Sequence, residues 1–452
     1  MLRIAFCHPD VKTSAVTHLR VLDLRGDASD VRSRLPRPDV DLEAARAGVD
    51  DTIASVRRDG DGALRRLTMQ FDGVDLDELR VPQEILQESL DGLTPELRSA
   101  LERAISQVHW FHERARPLDW EDARDGQRMG VWHRPIQRAG VYVPGGKAVY
   151  PSTVVMTVVP AQVAGVEQIV LCTPPSGDDG WPNRTILAAA ALLGVKDVFR
   201  IGGAQAIAAM ALGTATVPTC DKVVGPGNLY VALAKQRLAA DGTIGIDGFA
   251  GPTEIGIIAD DTADARILAA DLVAQAEHDE LATCLLITTD PSLVDRVQQA
   301  LDVEVAGTRH RERVEAALRG QGMVAIVDDL DQAVVVAEAF AAEHLEVQTR
   351  DARAVAQRVR YAGTTFIGAH TPVSLGDYAS GPNHTLPTSG TARFAGGLTT
   401  SSFLVPVNFV EYDRAGLQEL APTVLALAQA EDLPAHGRAV AIRLEDRSQD
   451  PA

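Results

Sequence analysis

Between residues 140 and 288, short β-branched runs alternate with alanine-rich stretches of helical length, and this alternation restricts the fold more than any other feature of the chain. Gln168 to Cys172 precedes a helical stretch from Thr185 to Leu193, and Asp197 to Ile201 precedes another from Ala204 to Leu212. After Gly251 the pattern resumes with a strand from Glu254 to Ile258, a helix from Ala263 to His278, a strand from Ala282 to Thr288, and further helices to about His344. Alternating strands and helices predict an α/β fold whose parallel sheets are covered by helices. At 452 residues the chain exceeds what one hydrophobic core usually organises, so more than one α/β unit is expected.

The flanks read differently. From about Asp39 to Arg116, Leu42, Ala45, Val49, Ile53 and Val56 recur at three- and four-residue spacing, as do Leu97, Leu101, Ile105 and Val108, which predicts amphipathic helices. The character changes near Arg138: Gly140-Val-Tyr-Val-Pro-Gly-Gly146 reads as a short strand ending in a glycine turn, with a domain boundary near residue 139. Towards the end, the glycine-rich segment Gly376 to Gly397 reads as a site-bearing loop, followed by a helix from about Ala415 to Ala430, then Pro434 and a short polar end. No fixed-period repeat is present.

Charge and cysteine usage exclude several partners. With 62 acidic against 43 basic residues the formal charge is −19, and no Lys/Arg-rich run interrupts it, so nucleic acid and anionic membranes are not expected partners. The most apolar stretches, Ile186 to Val195 and Thr153 to Val166, are too short to span a bilayer or carry Pro160 and Gln162. Cys7, Cys172, Cys220 and Cys284 form no CxxC pair, which suits a reducing cytoplasm. The first twenty residues lack a long apolar core and a small-residue cleavage site, which argues against a signal peptide, and they read as a loose tail.

Candidate chemistry gathers around histidines that sit beside carboxylates. Gln275 and His278, three apart at the end of a helix, bring an amide oxygen and an imidazole to one surface, although a polar helix end exposed to solvent would look the same. Glu343-His344 closes the alanine-rich helix Asp331 to Ala342 and offers a carboxylate and an imidazole for proton transfer; the alternative is a histidine placed to complement the helix dipole. Asp377, Asn383 and His384 lie in the glycine-rich loop, where the backbone can approach a ligand closely or simply turn at the surface. His436, with Glu431 before it, lies near the chain end. If Gln275, His278, Asp377 and His436 meet in space, two nitrogens and two oxygens form a set that suits zinc. For a dinucleotide the signal is weak: Gly202-Gly203-Ala204-Gln205 and Gly225-Pro226-Gly227-Asn228 follow strands, but neither completes GxGxxG, and Tyr230 stands where the third glycine of the second would fall.

Seven ordered segments together resemble the histidinol dehydrogenases: Gly140-Val-Tyr-Val-Pro-Gly-Gly146, Ile201-Gly-Gly-Ala-Gln-Ala-Ile207, Val224-Gly-Pro-Gly-Asn228, Gly251-Pro-Thr-Glu254, Gln275-Ala-Glu-His278, Glu343-His-Leu-Glu346 and Gly376-Asp-Tyr-Ala-Ser-Gly-Pro-Asn-His384. The likeness runs from about Leu22 to the end and leaves residues 1–20 outside it. It implies two incomplete Rossmann-like domains, one inserted in the other, with small helical terminal segments and an intertwined homodimer. Mapped onto this chain, that organisation gives a tail over 1–37, a first α/β domain from 38–139 and 250–395, an inserted domain over 140–249, and a C-terminal helical segment over 396–452 that reaches the partner subunit.

The resemblance further implies a cytoplasmic enzyme of histidine biosynthesis that oxidises L-histidinol through L-histidinal to L-histidine with two NAD and one zinc ion per subunit. By motif, Tyr142, Gln205 and Asn228 look like NAD contacts, and Gln275, His278, Asp377 and His436 like zinc ligands that also meet the substrate. Thr253, His384 and Glu431 look like further substrate-pocket residues, with Thr253 standing where serine is common in the family. Glu343 and His344 look like the catalytic pair: His344 takes protons from the alcohol and the aldehyde hydrate, and Glu343 activates the water. Glu431 and His436 are implied to complete the neighbouring subunit's site. Two rivals stand beside this reading: an aldehyde-dehydrogenase-like enzyme with Cys172 as nucleophile, and a non-enzymatic ligand-binding protein on a similar scaffold.

Overall fold

Two parallel sheets organise the chain, and the order of their strands explains where a ligand can bind. The computed structural model describes residues 19–445 apart from 28, 39–42, 146–148, 177–178 and 249–250. The tail expected over the first twenty residues therefore lies almost wholly outside the described residues, as do Gly146 and the last residues of the chain.

The larger sheet has six strands in the spatial order Arg20–Asp23, Gly322–Ile326, Thr283–Thr288, Glu254–Ala259, His344–Gln348 and Thr364–Ile367, all parallel. Its central strands, EIGIIA, TCLLIT, GMVAI and HLEVQ, are buried along their whole length, as expected where helices cover both faces. Burial of each leucine or isoleucine there contributes roughly 1.5–3 kcal/mol, so these runs hold the sheet in place whatever polar groups its ends carry. The second sheet has five parallel strands in the order Asp197–Arg200, Gln168–Thr173, Arg138–Tyr142, Lys222–Val224 and Gly245–Ile246. In the five-stranded sheet, and in the larger sheet once its edge strand Arg20–Asp23 is set aside, the chain starts centrally, winds outwards one way and then crosses to the other side, which is half of the doubly wound dinucleotide-binding arrangement. A third, antiparallel sheet joins Leu404–Tyr412, Gln127–Pro135 and Trp120–Arg124.

The expected parallel α/β architecture is present, and the packing differs from the expected grouping in two places. Arg20–Asp23, expected in the N-terminal tail, is an edge strand of the six-stranded sheet. The helices before residue 139, expected to group with 250–395, lie instead on helices of the five-stranded sheet. Glu43–Asp59 packs on Gly203–Leu212 and Leu229–Ala240, Gln83–Asp91 on Arg184–Leu192, and Pro95–Arg114 on Pro151–Ala164. Their apolar stripes tell that they must be covered, but not by which sheet.

The most consequential difference concerns Glu343 and His344. They do not close a helix. The helix Leu330–Phe340, capped by Asp329 accepting from the Gln332 N–H, stops at Ala341, whose φ of 49° places it in the left-handed region. His344 is then the first residue of the strand His344–Gln348, so the alternative of a histidine answering a helix dipole falls away. Asp377 likewise lies in a short helix, Val373–Tyr378, and not in an open loop.

Candidate active site

The amino ends of the two central strands, Glu254–Ala259 and His344–Gln348, carry the densest polar cluster of the larger sheet. These strands are neighbours, with His344 paired in register to Ile255, so residues 253 and 254 lie beside 343 and 344. The Glu343 carboxylate accepts from the Thr253 hydroxyl at 2.5 Å and from the Glu254 N–H at 2.9 Å, both on Oε2. The His344 Nδ1 donates to the Glu254 carbonyl at 3.1 Å; a carbonyl only accepts, so the proton sits on Nδ1 and Nε2 is left as the basic nitrogen. The Glu343 Oε2 and the His344 Nδ1 are 3.6 Å apart, and both side chains are buried. Burial pushes the Glu343 carboxyl above its ordinary range, against the pull of His344 and the Thr253 hydrogen bond.

A second group approaches this pair from the helix Ala265–Ala276, whose start is capped by Asp264. Gln275 donates through Nε2 to the Thr253 hydroxyl at 2.5 Å, while its Oε1 is buried with no hydrogen-bond partner. Just past the helix end, the His278 Nε2 comes 3.9 Å from the Asp377 Oδ2. The Asp377 carbonyl accepts from the His384 Nδ1 at 3.0 Å, and the other ring nitrogen of His384 accepts from the Thr153 hydroxyl at 3.2 Å. Burial holds the His384 imidazole below its ordinary value, which agrees with a neutral ring that donates on one side and accepts on the other. Thr153 belongs to a helix of the five-stranded sheet, and Asn383 donates to the Met156 carbonyl of that same helix, so the 376–397 segment bridges the two sheets at the site.

An orphaned amide oxygen costs free energy unless something else accepts its lone pair. Gln275 Oε1 thus fits a bound cation, with His278 and Asp377 at hand as nitrogen and oxygen donors. Among the described residues no three His, Cys, Asp or Glu side chains come close enough to hold a metal ion, because an amide supplies one donor and His436 is elsewhere. Glu431, just past the helix Arg414–Ala430, and His436, in the helix Pro434–Leu444, are exposed; the two helices pack on each other, and the first also meets the antiparallel sheet. Among the described residues neither side chain bonds to the cluster.

The dinucleotide candidates lie at the opposite kind of strand end. Tyr142 ends the strand Arg138–Tyr142, and Asn228 follows Lys222–Val224, the neighbouring strand where the winding reverses. Crevices at such a reversal, outside the carboxyl ends of the strands, are where this architecture binds ligands. The Tyr142 hydroxyl accepts from the Gly203 N–H at 3.0 Å, leaving its own proton for donation, and burial pushes the phenol up to about 12. Gln205 is buried in the first turn of Gly203–Leu212, and Asn228 caps Leu229–Ala240 by accepting from the Val231 N–H. Cys172 is wholly buried and burial pushes its thiol far up, the reverse of what a nucleophile needs.

The sequence reading assigned no role to Glu254, Arg37 or Thr153. Glu254 carries the only early signal: a carboxylate opening an otherwise apolar buried strand asks for a partner.

Comparison with known proteins bears on the whole chain. The family model for histidinol dehydrogenase matches residues 35–444. The histidinol dehydrogenase of Thermobifida fusca is 49% identical over 432 residues, covering 95% of this chain and 98% of that protein. The one from Bifidobacterium longum is 46% identical over 450 residues, covering 96% and 95%. In three dimensions the chain is similar to the crystal structure of histidinol dehydrogenase from Elizabethkingia anophelis, with a TM-score of 0.91 at 34% identity over 95% of this chain and 98% of that one.

Proposed function

Since the chain belongs to the histidinol dehydrogenase family of oxidoreductases, we propose that it oxidises L-histidinol through L-histidinal to L-histidine, with the cluster around Glu343 and His344 as its catalytic centre. The observation that carries this reading is the shared Glu254 main chain. Its N–H and C=O hold Glu343 and His344 in complementary roles, a carboxyl oxygen that accepts and an imidazole whose Nε2 is free to take a proton. General acid–base catalysis needs such positioned groups. His344 takes the proton of the substrate alcohol. Glu343 then removes a proton from the water that adds to the aldehyde, and His344 deprotonates the hydrate. The Thr253 hydroxyl, held between Gln275 and Glu343, orients the substrate, as do His384, Glu431 and His436.

The residues fit two groups that the family uses. Gln275, His278, Asp377 and His436 would hold zinc, which would supply a Lewis-acid anchor for the substrate's nitrogens, and Tyr142, Gln205 and Asn228 would contact NAD, which would supply the hydride acceptor for each of the two oxidations. The orphaned Gln275 Oε1 supports the first assignment, and the place of Tyr142 and Asn228 at the winding reversal supports the second. We read residues 140–249 as a domain inserted between the strands of the larger sheet. The exposed placement of Glu431 and His436, close in the chain to uncovered Leu425, Leu427 and Leu433, supports a homodimer in which they complete the partner's site.

NADH formed per histidinol consumed tests the whole proposal, measured before and after metal removal and zinc return. Two NADH per histidinol, lost without zinc and regained with it, is the expected result. One NADH would restrict the protein to the alcohol step. None would leave it a binding protein.

A further inference from the structure

A buried carboxylate at the head of a central strand has to be neutralised or paired, and Glu254, 1% exposed, is paired from a distant part of the chain. Its Oε1 accepts from the Arg37 guanidinium and, at 2.9 Å, from the Ser389 N–H. The same guanidinium donates through Nη2 to the Phe340 carbonyl and stacks over the Phe340 ring at 4.3 Å from its centroid. Arg37 thus grips both segments that carry the catalytic pair: the start of Glu254–Ala259, and the end of the helix that runs through Ala341 and Ala342 into Glu343 and His344. The surroundings are built to its shape. Gly390, at φ 72°, allows it in: a Cβ there would come 3.1 Å from the Arg37 Nη2.

We propose that Arg37, acting through the Glu254 carboxylate and the Phe340 carbonyl, is a positioning residue that sets the Glu254 main chain against Glu343 and His344. The proposal rests on the assignment of Glu343 and His344 as the proton-moving pair. Its consequence is directional. The Glu254 N–H and C=O are what hold the Glu343 carboxylate and orient the His344 ring, so releasing the Glu254 side chain shifts both catalytic groups while leaving the outer part of the substrate pocket in place. Lysine cannot replace this function, because one ammonium lacks the planar fork that serves a carboxylate, a carbonyl and a ring face together.

The test compares wild type, Arg37→Ala, Arg37→Lys and, as a control, His344→Asn, each measured for kcat and KM with histidinol and NAD and for thermal midpoint. Arg37→Ala is expected to lower kcat by about 10- to 100-fold, the range for a small displacement of reacting groups, with KM for histidinol changed by less than about threefold. Because the Arg37 side chain is 27% exposed, guanidinium at low millimolar concentration should refill the gap and restore several-fold of kcat in Arg37→Ala, but in neither wild type nor His344→Asn. Arg37→Lys should fold normally and still lose most of kcat, which decides the matter if the alanine variant is insoluble. Unchanged kcat in Arg37→Lys, or a loss in Arg37→Ala that follows the thermal midpoint and is not rescued, would overturn the proposal. Full activity of His344→Asn would instead remove the catalytic assignment on which it rests.

Discussion

The amino ends of the larger sheet and the C-terminal helix pair both carry candidate site residues, and they are built in opposite ways. Glu343 and His344 are themselves buried and held by main-chain or hydroxyl partners fixed by the sheet register. Around Glu431 and His436 the side chains are exposed, and leucines beside them face outwards uncovered. Proton transfer needs prearranged dipoles in a water-poor place, which only a packed core supplies. Ligand residues can instead arrive with another body, provided that body docks by burying apolar surface. On the proposed reading, the difference teaches that one chain holds a finished acid–base centre and an unfinished pocket.

Removing the finished half should cost most. His344→Asn is expected to lower turnover by about 10²- to 10⁴-fold in both half-reactions, as general-base catalysis generally contributes, when each is followed in a stopped-flow assay. Glu343→Gln should spare aldehyde formation and slow aldehyde oxidation by about 10²-fold. Equal loss in both steps would merge the two roles and blur the contrast within the buried half.

The unfinished half is tested by mixing. His344→Asn and His436→Asn, each inactive alone, should regain up to about a quarter of wild-type activity after subunit exchange, because about half of the dimers are then mixed and each of those holds one intact site. No rescue, with exchange verified by mass, would move His436 into its own subunit's pocket and break the comparison.

A smaller effect sharpens the electrostatic side. Burial raises the Glu343 carboxyl, so the folded protein binds this proton more tightly than the unfolded chain, and the group's contribution to stability declines as pH rises above its ordinary value of 4.5 until the carboxyl ionises in the fold. The thermal midpoint of Glu343→Gln should therefore gain on wild type across that interval. A constant difference would mean that Glu343 is already charged at its lower end. Smallest of all, Cys172→Ala should change turnover by less than about twofold, since a buried strand thiol acts as a small apolar group. A large loss would return the cysteine-nucleophile rival.

Much of this was legible in the chain, for identifiable reasons. Gln275 stands out in the sequence at the end of a helical pattern that the structure shows as Ala265–Ala276, with His278 just beyond it. The strands Glu254–Ala259 and Thr283–Thr288 were found because fully buried strands read as continuous apolar runs. The strand starting at His344 was missed, since the alanine-rich helix before it gives no sign of stopping: Ala341 adopts a left-handed conformation that alanine does not favour, under the demands of the sheet. The partners of the edge strand Arg20–Asp23 and of the helices before residue 139 are not legible in the chain, because an amphipathic segment announces that it will be covered and is silent about the cover.

By itself, then, the sequence determined the α/β class, the family and which side chains are candidates for the chemistry, because periodicity and motif order are local properties written along the chain. Tertiary structure alone decided that the Glu254 main chain would serve Glu343 and His344 together, that Arg37 would hold Glu254 from 217 residues away, and that His436 would lie exposed on a helix packed against Arg414–Ala430. Those relations depend on strand register and on which surfaces bury each other, and both are settled only when the whole core packs.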